Sequence, residues 1–342
     1  MQNADATTPP LALVPDEVPA KPPLWVSILR NPIIRIVLFA AMAFGIGWAV
    51  RHAWPLPPSG PAAALKLGAG DLLLRTFRNL IPYVGAYWIL VRLIERRSVS
   101  ELNVRRLLPD AFKGWLLGTA ILLTTAAVMA AIGVLKIEVA TIPANLLGPL
   151  LVLGIVPGIG EEIFSRGILF RVVEDGMGSW IALLLSSAFF GAAHLGNPGA
   201  TWVTSLFIAI EAGVLLGMAY AWTRSLWFCM GLHAAWNFTQ GGLLGIRVSG
   251  FEVDGLLKST PQGTELLSGG TFGAEGSLVT VVLCLAVGIW FARRAVAGGR
   301  IVRPFWWRPR SWPASLAGVE EARVAALHDP VAATSQSSTN VV

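Results

Sequence analysis

The sequence predicts an all-α, polytopic membrane helix bundle of about eight transmembrane helices, and three observations predict it. Hydrophobic residues make up 54% of the chain and charged residues only 13%, with a mean hydropathy of +0.64, too apolar and too charge-poor for a soluble surface. Apolar runs recur along the chain, each close to the roughly 20 helical residues needed to cross a hydrocarbon core about 30 Å thick. Basic residues gather at the ends of these runs and form no stripe with interleaved aromatics. The net charge of +6 therefore reads as membrane topology, and nucleic acid is not an expected partner.

Taken in order, residues 1–24 are rich in Pro, Ala and small or acidic residues and lack the basic start, apolar run and cleavage site of a secretory signal, which predicts a disordered tail. Spans are expected at about 31–50, 72–95, 114–136, 145–170, 179–196, 201–222, 225–246 and 275–292. Residues 25–298 are read as one transmembrane domain with its motif core at 145–246, and 299–342 as an interfacial segment followed by a disordered end. Arg92, Arg96, Arg97, Arg105, Arg106 and Lys113 crowd one loop, and Arg293, Arg294, Arg300 and Arg303 follow the last run. The positive-inside bias makes both sides cytoplasmic, puts both termini there, and leaves the acidic loop 247–274 outside. Arg51, His52 and Lys66 in the first outside loop run against that bias. Gly213 and Gly217 form a GxxxG step, a mark of close helix packing. Cys229 and Cys284 sit inside apolar runs and read as small hydrophobes.

An ionisable side chain at mid-membrane costs several kcal/mol, from about 2.5 to 10 or more, so it usually faces protein or water and has a task. That filter leaves Glu161, Glu162, Glu211, His194 and His233 inside apolar runs, with His52 and His328 in a loop and a tail. Glu162 and Arg166, four residues apart, share a helix face and form a supporting ion pair. Glu161 points about 100° away and has no such partner, which leaves its carboxylate free to act as a general base. His233 and Asn237 also stand four apart and project toward one point, where both can donate to a developing oxyanion. Glu161 with His194 can hold and deprotonate a water. The bland reading of each His or Asn is a hydrogen bond to a neighbouring helix, and the carboxylates and histidines together also suit a proton relay. Glu211 is left outside the catalytic set, either pairing across helices or lining the cavity.

The succession EExxxR at Glu161–Arg166, FxxxH at Phe190–His194 and HxxxN at His233–Asn237 resembles the CPBP intramembrane protease family, also called the Abi or CAAX-protease family, which includes the Ras-converting CAAX endopeptidases. The resemblance runs from about Glu161 to Phe238 and takes in Gly213, Gly217, Tyr220, Thr223, Ser225, Leu226 and Trp227. It implies that Glu161 is the catalytic base, His194 its partner on the water, His233 and Asn237 the oxyanion stabilisers, and Glu162 with Arg166 the supporting pair. Family members are described both as metalloproteases and as glutamate-type proteases. Glu161, His194 and His233 would be the zinc ligands in the first case, but HExxH is absent and the expectation is a metal-free site.

The expected activity is hydrolysis of a peptide bond in a membrane-associated protein or peptide, at an integral site in the lipid bilayer of a bacterial plasma membrane. Eukaryotic relatives trim prenylated CAAX tails, and bacterial ones are linked to bacteriocin maturation or immunity. A membrane transporter or proton-relay protein, and a non-catalytic membrane scaffold, are the rival classes.

Overall fold

In the computed structural model the described residues are Leu29, 31–57, 61–140 and 145–307. The tail expected over residues 1–24 and the C-terminal end from 308 onward lie outside them. Eight long helical stretches make up the bundle among the described residues. These are α1 (Pro32–Ala53), α2 (Ala69–Trp88, carried on by a wide turn over Ile89–Ile94), α3 (Leu107–Ala131), α4 (149–177), α5 (179–193), α6 (Trp202–Thr223), α7 (226–243) and α8 (Leu278–Ala297). Five stretches are long and apolar enough to cross a membrane: Pro32–Ala53, Val104–Ala131, Pro149–Gly196, Trp202–Thr223 and Leu278–Ala297. The chain is an integral membrane protein.

The helix boundaries follow local chemistry. Asn31 accepts from the backbone N–H groups of Ile33 and Ile34 at the start of α1, and Pro32 fits the first turn, where no donor is needed. The continuous run Pro149–Gly196 is too long for one crossing, and Gly178, at φ 81° and ψ 168°, breaks it into α4 and α5. The fourth helix thus extends past the expected end at residue 170. The third expected run, 114–136, is corrected at both ends: α3 starts at Leu107 and stops at Ala131. Leu135–Val139 then forms β1, paired antiparallel with β2 (Leu257–Pro261), Leu135 opposite Pro261 and Val139 opposite Leu257. β-branched and charged residues alternate over Lys136–Val139, a period of two that suits a strand.

α3 and α7 cross with almost no side chain between them. A methyl group on Gly231 would lie 2.1 Å from the carbonyl oxygen of Ala111, and one on Gly114 would lie 2.1 Å from that of Phe228, so both positions must be glycine. This contact fixes the helix that carries His233 and Asn237.

Opposite ends of the bundle are held differently. At one end the start of α1, the connection 95–101 between α2 and α3, and the end of α4 share a buried ionic lattice. Glu95 takes Arg35, Arg97 and Arg171 at 3.2, 3.0 and 3.0 Å. Arg35 also reaches Asp175 at 3.1 Å, and Arg97 pairs with Glu101 at 2.5 Å. Arg224, at the end of α6, grips Glu174 at 2.6 Å and the carbonyl of Arg300 at 2.5 Å. The other end carries the β1–β2 pair and the folded segment 244–277, joined mainly through backbone bonds such as Gly250 N–H to Phe272 O at 2.7 Å. Successive helices therefore alternate in direction, as the threading of basic clusters requires.

Candidate active site

Helices α1, α2, α4, α5, α6 and α7 and parts of the segment 244–277 surround a cavity of about 630 Å³. Its walls are largely apolar, with Phe39, Phe164 and Phe189 forming a run of ring contacts at centroid separations of 5.9 and 5.1 Å. Among the residues lining it, Glu161, His194, Glu211, His233, Glu275 and the phenol of Tyr83 can ionise, and Ser165, Asn197, Trp236, Asn237 and Ser249 can donate hydrogen bonds. Wide, π-like turns lie beside three of them, over Ile163–Phe170 after Glu161 and Glu162, over Ala209–Val214 around Glu211, and over Phe238–Leu243 after Asn237. Such turns cost helix stability and are often found at functional sites.

Glu162 and Arg166 stand behind the cavity wall, both fully buried. Arg166 Nη1 donates to Glu162 Oε1 at 2.9 Å, and its Nη2 donates to the carbonyls of Ala212 and Gly213 at 2.9 and 3.2 Å. One guanidinium thus ties α4 to α6 at the wide turn of α6, where the helix's own bonding leaves carbonyls available. Its planar face lies 4.8 Å from the centroid of the Phe190 ring.

His233 Nδ1 lies 2.9 Å from the same Glu162 Oε1. A carboxylate only accepts, so Nδ1 carries the proton and Nε2 is left for the cavity. In neutral His233 that nitrogen accepts; in the imidazolium it donates. His194 Nδ1 lies 2.7 Å from Phe190 O, again an acceptor, so the Nε2 of neutral His194 presents a lone pair. Phe190 packs against both imidazoles, at 4.9 Å from His194 and 6.1 Å from His233 between centroids, and sets their spacing. Asn237 Nδ2 donates to Leu153 O at 2.8 Å, which leaves its second N–H and its carbonyl oxygen for other partners. Glu161 lines the cavity, and its Oε2 is buried with no hydrogen-bond partner among the described residues.

The structure therefore brings Glu161, His194, His233 and Asn237 to one cavity and sets Glu162–Arg166 behind them. Sequence spacing misses three features. The Glu162–His233 bond joins two helices whose relative position no local pattern encodes. Tyr83, from α2, packs over Gly160 beside Glu161. Glu275 reaches the cavity from the turn before α8, its Oε2 accepting from Ser249 N at 2.6 Å and Oγ at 2.7 Å. Only Glu275 left a signal, as a buried-type carboxyl at the edge of an apolar run. Among the described residues no group of three or more His, Cys, Asp or Glu side chains stands where it could hold a metal ion.

A bundle of apolar helices enclosing a pocket with carboxyl, imidazole and amide groups defines an integral membrane protein with a polar working site inside it. Residues 143–239 match the family model described as type II CAAX prenyl endopeptidase Rce1-like, so this segment is similar to that family. That similarity supports a peptidase, a hydrolase of the CAAX-protease type, in a membrane setting. No curated protein matches the chain.

Proposed function

We propose that the chain is an intramembrane endopeptidase that cuts a peptide bond of a membrane-associated protein or peptide with a water activated by Glu161 and His194. The observation that supports this is the convergence of Glu161, His194, His233 and Asn237 from α4, α5 and α7 on a single cavity. Water held between the Glu161 carboxylate and the lone pair of His194 Nε2 loses its proton to one of them as it attacks the scissile carbonyl. The carbonyl oxygen becomes negative and takes hydrogen bonds from the second N–H of Asn237 and from Nε2 of His233 as imidazolium. Glu162 supports that imidazolium from behind and fixes its ring, while Arg166 holds Glu162 in place. The proton gained at the base then passes to the leaving amine.

No step in this scheme uses a metal. On this reading the lattice end of the bundle faces the cytoplasm of a bacterial cell, as do both termini. Residues 25–298 act as the protease domain.

The test is Glu161→Gln, which keeps the size and one hydrogen-bonding oxygen of the side chain. A fluorogenic peptide in proteoliposomes should be cut at least about a hundredfold more slowly, the lower range of what general-base catalysis contributes. A thermal melt should remain at the wild-type position. Near-wild-type cutting by the folded variant would sink the mechanism.

A further inference from the structure

Glu211 has no part in the scheme above, yet it is the least satisfied polar group in the cavity. It is 1% exposed, it lines the cavity from α6, and neither of its carboxyl oxygens has a hydrogen-bond partner among the described residues. A buried carboxyl without a partner has given up its hydration and received nothing in exchange, which raises the free energy of the folded state. The nearest guanidinium cannot offset that cost. Arg166 directs both terminal nitrogens elsewhere, to Glu162, Ala212 and Gly213. The other charge that acts on Glu211 is Glu275, a second carboxylate on the same cavity, held by Ser249.

The cavity thus has an acidic side. Glu161, Glu211 and Glu275 face it, against two histidines, and no Lys or Arg is among its lining residues. At about 630 Å³ it holds a peptide segment of a few residues, whose side chains would come against these groups. An unpartnered carboxyl beside a second carboxylate in an apolar wall is complementary to a cation arriving with the substrate.

We infer that Glu211, with Glu275 beside it, forms a subsite that takes a lysine or arginine side chain of the substrate near the scissile bond. The inference rests on the peptidase reading and deepens it by naming a substrate feature. A site built to hydrogen-bond a substrate group rejects the analogue lacking it strongly, because its own buried group is then left unpaired. Glu211 would be a specificity-determining residue.

The experiment uses peptides of one parent sequence in which a single lysine or its apolar counterpart norleucine is moved through the positions flanking the cut. Cutting is measured with the wild-type protein in proteoliposomes, and binding by fluorescence anisotropy with Glu161→Gln, which holds peptide without turning it over. At one position the wild-type kcat/KM for the lysine peptide should exceed that for norleucine at least tenfold. The same order of preference should appear in binding. Glu211→Gln should bring the ratio at that position to threefold or less. Glu211→Met, which removes the charge and keeps the volume, serves if the amide variant fails to fold. Equal handling of lysine and norleucine at every position, or a preference that survives both substitutions, overturns the inference. If the wild-type protein cuts no peptide, the peptidase reading fails, and the binding ratio alone still decides whether the acidic subsite exists.

Discussion

Replacing Arg166 by alanine removes more than a charge. Glu162, fully buried, would keep His233 as its remaining partner, and the carbonyls of Ala212 and Gly213 would lose their side-chain donor. Breaking one side of a buried ion pair costs about 3–5 kcal/mol, and each stranded carbonyl adds on the order of 1 kcal/mol. A total near 5 kcal/mol corresponds to roughly a 4,000-fold fall in the folding equilibrium. At about 2–4 °C per kcal/mol for chains approaching this size, the melting midpoint should drop by about 10–20 °C. The double variant Glu162→Met/Arg166→Met removes both charges and fills much of the volume, so it should recover most of that loss, with a coupling of about 3 kcal/mol in the cycle. Its activity should not recover, because His233 has then lost the carboxylate that orients it. The assay is a thermal melt in detergent for wild type, both single variants and the double, read beside peptide cutting. An Arg166→Ala protein that melts within about 2 °C of wild type would refute the argument, since it rests on stranded groups that must raise the free energy of the folded state.

Three other outcomes are expected. Burial of Glu101 pushes its carboxyl up, but the Arg97 hydrogen bond and charge, aided by Arg171, outweigh this and hold it at about 2 against an ordinary 4.5. Its stabilising effect is therefore complete above about pH 4.5 and is lost as pH falls toward 2. Stability should drop by roughly 2 kcal/mol from this group between pH 5 and pH 3, and Glu101→Gln should flatten the pH dependence of the melt; an unchanged slope counts against the pairing. Chelation should leave peptide cutting intact, whereas loss of activity restored by one equivalent of zinc would make Glu161, His194 and His233 its ligands. Cysteine labelling should find 98–112 and 300–307 cytoplasmic and 250–268 external, and the reverse pattern would invert the orientation.

Much of this was readable from residue order because it is local. Glu162 and Arg166 meet at four-residue spacing on a helix, so their pairing follows from helix geometry alone. The apolar runs also locate the eight helices, since lipid forces each to satisfy its own backbone. What the spacing does not carry is contact between helices. Asn237 shows this well: its place one turn beyond His233 is a matter of helix periodicity, but its bond to Leu153 O depends on how α7 settles against α4. The expected run 114–136 overshoots the end of α3 because Ile132–Leu135 stays apolar, while the pairing of Leu135–Val139 with Leu257–Pro261 is a long-range event. Gly178 lies between Met177 and Ser179, two ordinary helix residues, and its break appears only when Val302 is seen packed where a side chain would stand.

The uneven fastening of the bundle has a mechanical meaning. At the lattice end, parting α1, α2 and α4 would strand Arg35, Glu95, Arg97 and Arg171 in an apolar interior. Around the cavity the same three helices meet through Phe39 on Phe164 and Tyr83 on Gly160, contacts that slide without leaving a charge behind. The molecule is therefore built like a clothes-peg, sprung at its arginine end and free to yield at its jaws.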